Sequence, residues 1–121
     1  MRAWTLSEAE FDALLLESID EALSVLSDSV MKAVYFHLER SFNIKKDEIP
    51  CRLGAFTQAV ENIFGVGANF VEILIMKKLH EKVNAHFRWN ESKGFELAQY
   101  ISEAKRVFEK KNVIKAIGEL V

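Results

Sequence analysis

The sequence predicts an all-α fold, a single domain over residues 1–121 with about five helices around a central apolar helix at about 68–83. Three observations carry this reading. Apolar residues recur at three- and four-residue spacing through most of the chain, the period of a helix with one buried face. Strict apolar/polar alternation, the mark of a half-buried strand, is hard to find. Wound as a helix, Phe70-Val71-Glu72-Ile73-Leu74-Ile75-Met76 is apolar almost all the way round, so it must be surrounded by protein.

The first helix opens on two overlapping capping-box patterns, Thr5 with Glu8 and Ser7 with Glu10, and runs to about Leu26. Phe11, Leu14, Leu15, Ile19, Ala22, Leu23 and Leu26 form its apolar side. Ser27-Asp28-Ser29 then supplies fresh N-caps, so a second helix starts at an angle and ends near Ser41 or Phe42. Its broad apolar face holds Val30, Met31, Ala33, Val34, Tyr35, His37 and Leu38, while Phe36 falls among the charged residues Lys32, Glu39 and Arg40. Pro50 sits where the third helix can begin, since its missing donor costs nothing in a first turn. Leu53, Phe56, Ala59, Val60, Ile63 and Phe64 form the stripe of that helix, which stops at Gly65, a natural left-handed cap. The fourth helix spans about Ala68 to Val83, with its first half the buried half. Residues 84–94, with Phe87 and Trp89 and the turn composition after them, read as a loop or an extended arm. The fifth helix places Leu97, Tyr100, Ile101, Ala104, Val107 and Phe108 on one face; Lys110-Lys111-Asn112 interrupts that stripe, and Val113, Ile114, Ile117, Leu120 and Val121 continue as a rotated one, so the tail either kinks back onto the core or binds something else.

With half its residues hydrophobic and a single proline, the chain should be folded throughout. Sixteen basic against eighteen acidic side chains give a net charge of -2, which is no footprint for a polyanion. Cys51 is the only cysteine, so no intrachain disulfide forms; the amino terminus lacks a signal-peptide core, and the apolar run ending at Lys77 and Lys78 falls short of the ~20 residues a bilayer crossing needs. These observations place the chain as a soluble cytoplasmic protein without a membrane partner.

The candidate chemistry fails its spacing tests. His80 and His86 are six residues apart, whereas two zinc ligands on one helix face need four, and His37 and Cys51 stand far off in sequence, so no metal or cofactor is expected. Gly65-Val66-Gly67 lacks the third glycine and the preceding strand of a dinucleotide loop. Glu72, inside the most apolar segment, is the one carboxylate whose pKa burial could usefully raise; with His37 it marks a candidate polar pocket. Helix, Ser-Asp-Ser turn and helix also outline a helix-turn-helix unit. Its outward cations, Lys32, Arg40 and Arg52, are few for neutralising phosphates, so no strong nucleic-acid binding is expected.

Ser29-Val30-Met31-Lys32-Ala33-Val34-Tyr35-Phe36-His37-Leu38-Glu39, Glu48-Ile49-Pro50 and Ile63-Phe64-Gly65-Val66-Gly67-Ala68, in this order, resemble the archaeal Nitrosopumilus output domain family. The resemblance covers roughly Leu14 to Arg106. It implies a small helical domain of uncharacterised function, found alone or as the output end of two-component response regulators, and it carries no catalytic residues. With the first helix already at its beginning, this chain reads as a stand-alone member.

The function expected from these features is a non-enzymatic protein-interaction or regulatory module of signalling-output type. The alternatives are a DNA-binding transcriptional regulator, and a small-ligand sensor or enzyme with a pocket near Glu72 and His37. Phe36, Val113, Ile114, Ile117 and Leu120 are the candidate interaction surface. A homodimer using part of the fourth helix or the apolar tail is expected, with another protein as a further partner, because so much apolar surface exceeds what a soluble monomer usually shows.

Overall fold

The computed structural model describes the backbone of residues 3–83 and 97–120, and the side chains of 9–83 and 97–110. It is all-α. Five α-helices follow one another, α1 (Ala3–Leu26), α2 (Asp28–Phe42), α3 (Leu53–Phe64), α4 (Ala68–Val83) and α5 (Leu97–Leu120), with short 3-10 turns at Lys46–Cys51 and Gly65–Gly67. The expectations for residues 84–94 lie outside the described residues.

The breaks between helices have local causes. Ser27 leaves helical geometry and its hydroxyl accepts the Val30 N–H at 3.0 Å, which caps α2. Asn43 ends α2 in the left-handed region, φ 54° and ψ 40°, and the next N–H, that of Ile44, donates back to the Leu38 carbonyl at 2.9 Å. Ile44 itself is buried, the apolar contact that accompanies such a stop. Gly65 ends α3 with φ 57° and ψ -123°, a backbone that side chains with a Cβ rarely adopt.

Two boundary expectations are corrected. α1 begins at Ala3, so Thr5 and Ser7 lie inside the helix and not at its start. Pro50 belongs to the 3-10 turn and α3 starts three residues later, at Leu53. Within that turn the Glu48 carboxylate accepts the Lys45 N–H at 2.9 Å, so the backbone was already committed before Pro50. Beyond these two, α5 continues as one helix through Lys110-Lys111-Asn112, where the sequence showed an interrupted stripe. Lysine is a good helix former, and a polar interruption of a stripe changes what a helix faces, not whether it forms.

α1 and α4 share the centre. α1 packs on α2, α4, α5 and the turn at Lys46–Cys51, while α4 packs on α1, α3 and α5. One continuous apolar cluster joins them, including Phe11, Leu15, Ile19 and Leu23 of α1, Val34 and Leu38 of α2, Phe56 and Val60 of α3, Val71, Ile75 and Leu79 of α4, and Leu97 and Ile101 of α5. Among the described residues Ser18 is the buried polar exception, and its hydroxyl donates to the Leu14 carbonyl one turn back at 2.7 Å. The covering of α4 differs from the expectation. Ala68, Val71, Ile75, Met76, Leu79 and Val83 are buried along its whole length, whereas Phe70 is 56% exposed and Ile73 and Leu74 are half-buried. α1, α3 and α5 cover one broad side of α4 and leave the Phe70 side open.

Leu53–Val83 also contains 18 residues apolar enough, by length and composition, to cross a membrane. The core helices of soluble proteins pass the same test, and here the stretch is divided at Gly65–Gly67 into α3 and α4.

Candidate functional site

Polar side chains are used first to tie helices together. Tyr35 of α2 donates its hydroxyl to Asp20 of α1 at 2.5 Å, and Lys46 reaches the other Asp20 oxygen at 2.9 Å while its ammonium lies 4.8 Å from the centre of the Tyr35 ring. Asp20 thus joins α1, α2 and the following turn. Glu17 and Glu21, one turn apart on α1, both hold Lys82 of α4, at 3.2 and 2.9 Å. The pairing with Glu21, then Glu17, raises the Lys82 pKa. Between α4 and α5, His80 Nδ1 and the hydroxyl of the fully buried Tyr100 are 2.7 Å apart. None of these three ties was visible in the sequence, because partners 15 to 65 residues apart are chosen by packing and not by spacing.

Burial, then the bond to Asp20, raises the Tyr35 pKa, and burial raises that of Tyr100. The consequence for stability has a definite sign. In the unfolded chain both phenols ionise near their ordinary value of 10.0, while in the folded chain they stay neutral to higher pH. Their contribution is therefore fully present below about pH 10 and is lost as pH rises beyond it. Urea midpoints are expected to decline above about pH 10, and more shallowly in the Tyr35→Phe, Tyr100→Phe double variant; a decline of unchanged slope in that variant would refute the assignment.

The residues singled out from the sequence are dispersed. His37 is exposed, as is Ala33, so the apolar face of α2 is narrower than expected and centres on Val34 and Leu38. His37 lines a depression of about 300 Å³ between α2 and α3 with Ser41, Phe42, Asn62 and Ile63. Glu72 lines a different one, of about 290 Å³, with Gly54, Thr57, Gln58, Glu61 and Ala98. It is half-buried. The two residues are not brought into one pocket. Among the described residues no three His, Cys, Asp or Glu side chains group as metal ligands. Arg52, one of the few outward cations of the helix-turn-helix reading, is turned back to donate to the Asn43 carbonyl at 2.6 Å.

Phe36 stands where the sequence placed it. At 100° per residue it lies about 160° from both Val34 and Leu38, so it points away from the core, and it is 58% exposed. Arg40 lies over its ring, 5.5 Å from the centre, and His37 meets it edge-on at 5.9 Å. Val66, fully exposed at the turn before α4, and Phe70 are further outward apolar groups. Both were missed, although Val66 between two glycines was open to suspicion as a turn residue. Val113, Ile114, Ile117 and Leu120 belong to the helical backbone of α5, and their side chains lie outside the described residues.

Comparison with protein-family models, with curated proteins and with solved structures finds no match.

Proposed function

We propose that the chain is a non-enzymatic, cytoplasmic protein-interaction module of regulatory, signalling-output type. The observation that carries this reading is the outward Phe36, an aromatic side chain set opposite the core on a helix whose inner face is already filled. Aromatic residues presented from a rigid helix are the usual anchors of protein contacts, since they bring large apolar area with few rotatable bonds. Val66 and Phe70 are further exposed apolar groups that a partner could meet. The resemblance to the archaeal output domain points the same way.

The test compares the tagged wild-type chain with a Phe36→Glu, Val66→Ser, Phe70→Ser variant in quantitative affinity purification from the extract of its own cells. The variant is expected to lose specific companions while its circular dichroism and melting temperature stay close to wild type, because all three side chains are exposed. Identical companions from both chains would overturn the reading. Submicromolar, sequence-selective binding of a DNA duplex near physiological salt would replace it with the transcriptional one.

A further inference from the structure

We propose that one partner of the α2 face is a second copy of this chain, docked antiparallel so that Phe36 meets Phe36 across a two-fold axis. This rests on the interaction reading of the same face. A two-fold interface must be complementary to itself, residue i meeting j while j meets i. The outer face of α2 meets that condition.

Taking 100° per residue, Lys32 and Glu39 lie about 40° and 60° from Phe36 on one flank of the helix. Both are exposed. They are two turns apart, and the point midway between them falls half a residue from Phe36, less than about 1 Å along the axis. An antiparallel copy related by a two-fold axis at that point keeps the same flank on the same side. Lys32 then stands opposite Glu39 of the second copy, and Glu39 opposite its Lys32, while the two Phe36 rings meet at the centre. Two reciprocal ion pairs and one aromatic pair share a single register.

The opposite flank agrees with it. Ser29, about 20° from Phe36, and the small Ala33, about 60° away, lie beside Arg40 at about 40°. In the same register the Arg40 of one copy comes between Ser29 and Ala33 of the other, where there is a hydroxyl to meet and no bulk to clash with. Arg40 is level with Lys32 of the second copy but on the other flank, and it already leans over its own Phe36 ring. The antiparallel arrangement also sets each helix N-terminus beside the other's C-terminal end, which the helix dipoles favour.

A contact confined to one 15-residue helix per copy is smaller than a standard interface, so the dimer is weak, with a dissociation constant on the order of 100 µM. Sedimentation from 10 µM to 1 mM is expected to show monomer passing to dimer about that concentration. Phe36→Glu should stay monomeric with an unchanged circular dichroism spectrum. Lys32→Glu and Glu39→Lys should each weaken the dimer about tenfold, and the two together should restore it to within about threefold of wild type. In a Cys51→Ser background, Phe36→Cys should oxidise to a disulfide-linked dimer, since only a two-fold pairing brings position 36 against itself. A chain monomeric at 1 mM, a dimer that survives Phe36→Glu, or a double reversal that fails to restore association would each overturn the pairing. A monomer that still loses its cellular companions on Phe36→Glu would overturn the pairing and leave the interaction reading standing. A dimer with no companions would do the reverse for contacts with other proteins.

Discussion

Ile75→Asp is expected to abolish the cooperative thermal transition of this chain. Ile75 is fully buried in the middle of α4, where that helix packs on α1, α3 and α5. A carboxylate there loses its hydration and gains no cation, and the ties that do carry charge, Lys82 with Glu17 and Glu21 and Lys46 with Asp20, belong to other positions. Burying an unpaired charge, added to the lost isoleucine packing, costs more than about 4 kcal/mol, against a total stability of about 5–15 kcal/mol for a domain of this size. Ile75→Val, which keeps the apolar character, is expected to cost only about 0.5–1.5 kcal/mol and to retain a sharp transition. Circular dichroism melts of the two variants check both statements; a cooperative Ile75→Asp transition near the wild-type temperature would show that α4 is not enclosed as described.

Phe56→Ala and Phe36→Ala form the second test, because one residue type occupies opposite environments. Phe56 is 1% exposed and anchors α3 in the common core, so its truncation removes apolar contact and leaves a cavity, at about 3–5 kcal/mol. Phe36 is 58% exposed, and its truncation at concentrations where the chain is monomeric is expected to change stability by about 0.5 kcal/mol or less. Urea titrations at a few micromolar separate the two. Equal losses would place Phe36 inside the fold and remove the basis for its docking role.

The helical class and most of the helix borders were legible because their causes are local. Ser27 caps α2 with its own hydroxyl, Gly65 supplies the positive φ that ends α3, and the three- and four-residue period set which side of α2, α3 and α5 is buried. The outward direction of Phe36 followed from the same period, since the angle between Phe36 and the Val34–Leu38 face is a property of the helix alone. Where the local reading failed, competing local signals were at fault. Thr5 and Ser7 look like caps but fall within a helix that had already begun, and Pro50 suits the first turn of an α-helix as well as the 3-10 turn that it occupies.

What the sequence by itself determined is the set of amphipathic helices, their breaks, and a Phe36 placed opposite the core. Only the tertiary structure decided which side of α4 stays open at Phe70, that His37 and Glu72 belong to separate depressions, and that Asp20 joins Tyr35 to Lys46 and His80 meets Tyr100. The physical reason is the reach of each interaction. A helical period and a cap are set by residues three or four positions apart, whereas the neighbours of an all-round apolar helix, and the partner of a buried phenol, depend on how whole helices pack, which no spacing along the chain records.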